Sequence, residues 1–393
     1  MFKKSIVISG FIFFILSVLP VSANQAEVWS RLYRRSSSLE QKEMVLENIV
    51  KMNDRALEPV LMEALEEMNN NQEKFRGDRV LMMKWVDMTN MIVQALGELK
   101  TRDAEDLVWF VVTHPADSSI LKANALMALG NMRAKTYAPE IATMLRNLNF
   151  NTQQDNRTNA EIEAYACVAA LQKMRDPVGF EPVFYAASGW YSKRTKNLAL
   201  ASLSQISMDP TEPVMEILKD ADFPTKRIAL SVQKESAAPE ENKSKVAVLA
   251  LDEGLKYSTT DKKQQDDMSK LRIDAIKTLI QANAKDNAAV PLLKTAIDRS
   301  KDPNETIYAY YALGVIATDE AVAVLSEKLT WYNTRQADGI AASQEQLGYI
   351  KQIINSIGMS GNSRGMGALT EVQFSNYTPA INRLAKQAME KLN

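Results

Sequence analysis

The chain has 393 residues, of which 46% are hydrophobic and 24% charged, and its 47 basic side chains nearly balance its 48 acidic ones. This composition is that of an ordinary folded protein. The near-neutral charge excludes a general attraction to nucleic acid or to an anionic membrane. The length allows two or three compact domains, or one elongated array.

The first segment in chain order is a predicted secretory signal peptide over residues 1–23. Two lysines precede an apolar run from Ser5 to Leu19, which is short for a membrane span, and small residues follow up to Ala23. We expect cleavage after Ala23, which leaves a mature chain of residues 24–393 in the periplasm or outside the cell. An uncleaved signal that anchors the chain to the inner membrane is the alternative.

Cys167 is the only cysteine, so no disulfide can form within the chain. An exported protein of this size without disulfides fits a bacterial periplasm better than a eukaryotic secretory route, where such bridges are common.

The rest of the chain repeats itself. A small residue followed by an apolar residue, and in several copies by Gly, recurs at irregular spacings that average about 38 residues. We call the apolar residue of this step the marker. The markers are Ile49, Leu96, Leu129, Leu171, Leu203, Leu230, Leu279, Leu313 and Ile357.

Two further columns keep register with the marker. The residue four positions earlier is nearly always small or apolar, and the residue twelve positions later is mostly apolar, as in Leu61, Val108 and Leu325. Each repeat is therefore predicted to contain a first helix with the marker and a second helix with the later column, and the small residue before the marker lets a neighbouring helix approach closely. Two repeats depart from the pattern. Lys226 stands in the earlier column, four residues before Leu230, and Pro291 stands in the later column, twelve residues after Leu279.

The ends of the predicted helices have their own signals. We expect Asp103, Asp176, Asp209 and Asp319 to cap second helices. Four polar stretches are predicted to be loops, and a hinge is expected within residues 233–270. The polar stretches are Asn69–Asp78, Leu148–Asn159, Gln233–Lys245 and Lys256–Lys270.

Two repeats, ALMALGNMRAKTYAPEIATML and ALGVIATDEAVAVLSEKL, resemble HEAT repeats, especially the short variety of phycobilisome-lyase-type proteins. The resemblance covers about residues 38–391. It implies an all-α fold, a right-handed α-solenoid of about eight to nine antiparallel helix pairs over residues 24–393. It also implies a scaffold or adaptor that binds other proteins.

Catalysis has little support in the sequence. His114 is the only histidine, and the repeat columns place Cys167 in a core position, where a thiol is usually inert. We therefore predict no catalytic residue, no metal site and no cofactor. A bilin-lyase-like activity, suggested by the resemblance alone, is the enzymatic alternative.

Two sets of residues are candidates for partner binding. The first is a repeated Trp-Tyr pair followed by Arg, expected at equivalent junctions between repeats, since these residue types dominate binding hot spots. It consists of Trp190, Tyr191, Arg194, Trp331, Tyr332 and Arg335. Packing over the end of a repeat is the structural alternative.

The second set is a basic ridge at the turns within three consecutive repeats. It consists of Lys100, Arg102, Arg133, Lys135, Lys173 and Arg175. Cations at these positions also complement the dipole of the preceding helix, which is the structural alternative.

The predicted function is that of an exported, non-enzymatic scaffold for another protein, one of the cell envelope. No nucleic acid and no membrane span after signal cleavage are expected, and the oligomeric state is left open. A structural subunit of an envelope or motility assembly is the other alternative.

Overall fold

The computed structural model describes residues 21–151 and 156–392, with side chains from residue 25 onward. These residues form twenty α-helices and no strand. The first ten are α1 (Val21–Arg35), α2 (Leu39–Met52), α3 (Glu58–Phe75), α4 (Arg79–Leu99), α5 (Glu105–Thr113), α6 (Ser119–Met132), α7 (Ala138–Phe150), α8 (Arg157–Met174), α9 (Phe180–Ser188) and α10 (Lys193–Ile206). The others are α11 (Thr211–Asp220), α12 (Phe223–Glu235), α13 (Glu240–Lys256), α14 (Lys262–Gln281), α15 (Ala289–Arg299), α16 (Pro303–Ile316), α17 (Asp319–Ala337), α18 (Gln344–Ser360), α19 (Met366–Val372) and α20 (Pro379–Glu390).

Residues 1–20 of the predicted signal peptide lie outside the described residues, and Val21 begins α1. Signal cleavage and export stay predictions. None of the helices described is both long enough and apolar enough to cross a membrane.

The chain divides into two compact units. One contains the described residues up to Tyr137 together with Thr158–Ala170, and the other contains Ala138–Arg157 and the chain from Leu171 onward. The expected hinge within residues 233–270 is not a boundary between these units. That segment contains α13 and the start of α14, which pack against each other within the second unit. A hinge at this place stays a prediction.

Within each unit, even-numbered helices pack against even-numbered ones and odd-numbered helices against odd-numbered ones. In the first unit α2, α4 and α6 pack in succession, and α3 packs on α4 and α5. In the second unit α12, α14, α16, α18 and α20 form one series and α11, α13, α15, α17 and α19 the other. The markers lie on the even-numbered helices, and the later column lies on the odd-numbered ones. The predicted all-α solenoid of helix pairs is therefore confirmed as a fold class.

Successive even helices touch through small residues around the marker. The Gly after one marker faces the small residue before the next, and a Cβ added to the Gly would lie 2.7 to 2.8 Å from the nearest atoms across the contact. The facing pairs are Gly97–Ala128, Gly130–Ala170, Gly314–Ser356 and Gly358–Ala388. The last pair shows a tenth marker, Met389 on α20, which was not predicted from the sequence.

The turn after an even helix is also periodic. Seven of these helices end in a left-handed residue four positions after the marker. These residues are Asn53, Lys100, Arg133, Arg175, Asn283, Ala317 and Gly361. Such a backbone costs about 1–2 kcal/mol for residues other than Gly. The following residue often caps the next turn, as Asp54 and Asp176 do by accepting hydrogen bonds from the backbone.

Two of the predicted caps are wrong. Asp103 lies inside a 3-10 turn, Arg102–Ala104, and Thr318 rather than Asp319 caps α17, accepting from the Ala321 amide at 3.4 Å. Asp209 does accept from the Thr211 amide at the start of α11. Asp54, Asp176 and Thr318 each lie immediately after a left-handed residue, so the positions of these caps follow from the marker and not from the residue type alone.

Much of the polar sequence predicted to form loops is helical. Residues 69–75 continue α3, and within Gln233–Lys245 and Lys256–Lys270 only 236–239 and 257–261 connect helices. In Leu148–Asn159, residues 148–150 belong to α7 and 157–159 to α8, and 152–155 lie outside the described residues. Polar side chains on α3 face inward to bind carbonyl groups: Asn69 Nδ2 donates to the Leu107 carbonyl at 3.0 Å, and Gln72 Nε2 to that of His114 at 2.9 Å. These inward-facing amides give the end of α3 the polar composition that is typical of a loop.

The bond from Asn69 belongs to a repeated asparagine contact. An Asn twenty residues after the marker donates to the carbonyl that precedes the later column of the next odd helix. The three contacts are Asn69–Leu107 at 3.0 Å, Asn149–Pro182 at 2.8 Å and Asn333–Ala368 at 3.0 Å. Each joins two odd helices within one unit and fixes their register along the helix axis.

Each of the two departures from the repeat pattern has a structural explanation. Lys226 is 3% exposed, and its Nζ donates to Glu253 Oε2 at 2.6 Å, so the apolar column accommodates a cation through a buried ion pair. Burial raises the pKa of Glu253, but hydrogen bonds from Lys226 and Lys256 outweigh this effect and leave it below its usual value. Pro291 lies in the first turn of α15, where proline is tolerated.

Gly130→Ala should destabilise the protein. The added methyl group would lie 2.7 Å from the Ala170 Cα atom, so α6 and α8 must separate, and we expect a loss of about 1–3 kcal/mol in the free energy of unfolding. Gly348→Ala is the control, because Gly348 is helical with no atom within 4 Å of its Cβ position, and it should gain about 0.5–1 kcal/mol. Urea unfolding of both variants measures the difference; equal effects would contradict the close contact.

Asn333→Ala should cost about 1–2 kcal/mol, because it removes a buried hydrogen bond to the Ala368 carbonyl. Asn355→Ala, at an exposed position of α18, should be neutral or slightly stabilising because Ala favours the helix. Thermal unfolding followed by circular dichroism compares the two. A loss at position 355 as large as at 333 would show that the contact between α17 and α19 adds nothing.

Candidate binding surfaces

Trp190 lies in the connection between α9 and α10 and is half-buried. Its Nε1 donates to the Leu148 carbonyl at 3.3 Å, and the Arg157 guanidinium lies 5.7 Å from its ring. Trp85 makes a corresponding bond, 2.8 Å long, to the Met68 carbonyl. Both tryptophans bind the carbonyl immediately before an asparagine of the repeated contact, so Trp190 is a packing residue with its polar group already used.

The neighbours of Trp190 offer little more surface. Tyr191 is 3% exposed, with its ring 4.2 Å from that of Trp190. Arg194 is exposed in the first turn of α10. Of the first Trp-Tyr-Arg group, only Arg194 is classed as exposed.

Trp331 has a different environment. It lies inside α17, and 50% of its surface is exposed. The Arg335 guanidinium lies 4.8 Å from its ring, one helical turn away. The expected equivalence of the two groups is wrong: α9 stops at Ser188, before Gly189, whereas α17 continues to Ala337 and carries its Trp-Tyr pair on helix.

Tyr332 anchors this part of α17 to its neighbours. It is half-buried, and burial is the main cause that raises its pKa, although a hydrogen bond with Tyr310 lowers it. Burial also raises the pKa of Tyr310 and, together with a hydrogen bond to Glu345, that of Tyr349 to about 12. These hydroxyls therefore stay neutral and join α16, α17 and α18, leaving Trp331 and Arg335 on the outer side.

The six cations of the predicted basic ridge are all exposed at turns after even helices. In the first unit, however, Lys100 and Arg102 are followed closely by Asp103, Glu105 and Asp106, which offset their charge. Arg102 interacts with Glu105, and its charge opposes the rise in the Glu105 pKa that burial causes. This turn has mixed charge, which favours the structural interpretation of cations at helix ends.

His114 and Cys167 have structural positions. His114 ends α5, its ring stacks on Phe110 with centroids 4.2 Å apart, and it is exposed. Cys167 is fully buried in α8, where burial is the main cause that raises the pKa of its thiol to about 12. Among the residues that the structure describes, no three His, Cys, Asp or Glu side chains are grouped as a metal site.

Sequence reasoning missed a cleft of about 500 Å³ in the second unit. It lies between the connections 257–261 and 300–302, and its floor contains an ion pair between Arg272 of α14 and Glu305 of α16. No local sequence motif predicts this cleft, because its lining residues come from four helices and two connections. Gly254, whose missing side chain makes room for Arg272, was the only available signal.

No protein-family model matches the chain, and no curated protein matches it. Among solved structures, it is similar to human deoxyhypusine hydroxylase in complex with glycerol, with 14% identity, a TM-score of 0.27, and coverage of 86% of this chain and 97% of that one. It is also similar to a circular tandem repeat protein with novel repeat topology and enhanced subunit contact surfaces, with 10% identity, a TM-score of 0.24, and coverage of 95% and 93%. Both similarities are too low to bear on what this chain binds or does.

The thiol of Cys167 should be unreactive in the folded protein. Its raised pKa keeps it protonated at about pH 8, and its burial blocks access, so a disulfide reagent such as Ellman's should label it only after unfolding. Absorbance of the released thiolate, with and without guanidinium chloride, measures this. Rapid labelling in native buffer would reveal an accessible, activated thiol instead.

Proposed function

We propose that this chain is an exported, non-enzymatic HEAT-like scaffold that binds another protein of the bacterial cell envelope. The proposal rests on one observation above all: Trp331 is half-exposed, with Arg335 stacked on it, on a helix whose inner contacts are fixed. Large aromatic and Arg side chains dominate binding hot spots.

The inner contacts of α17 favour binding at this place. Asn333 fixes the helix to α19, and Thr330 Oγ1 donates to Glu371 Oε2 at 2.8 Å. Tyr332 fixes the helix to Tyr310. A partner that covers Trp331 therefore orders few groups on binding, which lowers the entropic cost of association.

The further parts of the proposal rest on the sequence. Export and the bacterial envelope follow from the predicted signal peptide and the single cysteine. The non-enzymatic role follows from the scarcity of His and Cys, together with the buried, protonated thiol of Cys167.

A photoreactive amino acid at position 331 should form a discrete crosslink to one envelope protein in intact cells, because this ring lies at the proposed contact. Mass spectrometry of the crosslinked band identifies the partner. Trp331→Ser should abolish co-purification of that protein without a change in melting temperature, because half of the ring is exposed.

Phe150→Ser is the matched control. Phe150 is an aromatic residue that is exposed still more than Trp331 and lies in the second unit, but on α7, which packs against α9 and not against α17, so its loss should leave capture intact. If the photoreactive group at 331 labels nothing beyond background, or if both serine variants reduce capture equally, the Trp331–Arg335 contact is excluded.

A further inference from the structure

The cleft between connections 257–261 and 300–302 is built around a positioned guanidinium. The Arg272 side chain crosses α13 at Gly254, where a Cβ would lie 2.5 Å from Arg272 Cγ. Its Nη1 donates to the Gly254 carbonyl at 2.9 Å. Any larger residue at 254 would displace the arginine side chain, so the position of Arg272 depends on Gly254.

Glu305 holds the guanidinium through Nε and Nη2. The carboxylate is fully buried and accepts from Arg272 Nε and, at 3.0 Å, from Nη2. The hydroxyls of Ser269 and Ser300 donate to Glu305 Oε2 at 3.1 and 2.8 Å. Glu305 therefore has its acceptor sites filled within the protein and is not available to a ligand.

Arg272 retains unused donors. A guanidinium has five N–H groups in a fixed fork, and one on each of its three nitrogens is used here. Two N–H groups remain on a side chain that is 15% exposed and lines the cleft. The two remaining groups, one on Nη1 and one on Nη2, can donate to the two oxygens of a carboxylate.

The rim of the cleft adds two more cations. Arg299 and Lys301 are exposed at its edge, and neither has an ion-pair partner within 4.0 Å among the described residues. Of the acidic residues there, Asp302 caps α16 by accepting from the Asn304 amide at 2.8 Å. Asp266 and Glu305 further limit the positive charge, which favours a monoanion over a doubly charged phosphate.

The walls supply apolar contact beside these charges. Leu255, Met268 and Ala296 line the cleft, and Tyr257 lies at its mouth with 57% of its surface exposed. Apolar walls with a few convergent polar groups are typical of ligand sites.

We propose that this cleft binds a carboxylate group attached to a short apolar or peptide chain, with Arg272 as the bidentate anchor and Arg299 and Lys301 as secondary cations. Two sources share this chemistry, a small aliphatic acid and the free C-terminus of a peptide. This site is separate from the proposed contact at Trp331 and does not depend on it.

Isothermal titration of the purified protein tests the site with three probes: butyrate, acetyl-trialanine with a free C-terminus, and the same peptide with an amidated C-terminus. Saturable binding is expected for at least one free carboxylate and none for the amide. Tighter binding of the peptide would assign the C-terminus of a protein as the ligand, and tighter binding of butyrate would assign a small acid.

Arg272→Lys should weaken binding about tenfold or more, because an ammonium keeps the charge beside Glu305 but cannot also donate two hydrogen bonds to a bound carboxylate. Arg299→Gln and Lys301→Gln lie at the exposed rim, keep the fold, and should each weaken binding about two- to fivefold through the loss of a partly screened charge. Lys351→Gln, on the exposed face of α18, is the matched control and should change nothing.

Two results would overturn the proposal. One is the absence of saturable heat for both free carboxylates at millimolar concentration. The other has two parts: the rim variants bind as strongly as the unaltered protein, and the amidated peptide binds as strongly as the free peptide. Together these would show that no carboxylate is recognised. The rim variants decide the matter even if Arg272→Lys does not fold.

Discussion

Close contact between successive even helices is the constraint on which the rest of the fold depends. At Gly97–Ala128 and Gly314–Ser356 the space for a Cβ atom on the glycine is already filled by the next helix, so the two backbones approach closely only because the glycine has no side chain. The apolar markers beside these contacts, Leu96 and Leu313, are fully buried, and such close contacts occur within both compact units. One helix pair cannot bury its apolar face alone, and stacking removes that face from water.

Polar groups then set the register that apolar packing leaves open. Apolar surfaces can slide past one another at little cost, whereas a hydrogen bond has a narrow range of distance and angle. The asparagine contacts at Asn69, Asn149 and Asn333 and the buried pair Lys226–Glu253 supply this precision. Breaking such a pair would leave a buried charge, so these contacts penalise any shifted packing.

The same contacts separate structural from accessible side chains. Trp190 and Trp331 have similar sequence neighbours, but the first donates its N–H to a carbonyl of α7 while the second lies half-exposed under Arg335. Arg272 combines both roles, since its guanidinium holds Glu305 and also lines a cleft with two N–H groups unused. Both proposals use side chains that packing has positioned and left partly uncovered.

The sequence by itself determined the helical class, the two-helix repeat and the small residues at the contact, because each of these follows from local periodicity and side-chain size. The sequence also showed that Lys226 is an exception in the otherwise apolar column before the marker. Only the tertiary structure decided which polar residues face inward, where α3 and α17 end, which tryptophan is buried and that Arg272 meets Glu305. Those outcomes depend on groups 30 or more residues apart, and no local pattern of polarity records which distant carbonyl or carboxylate a side chain will reach.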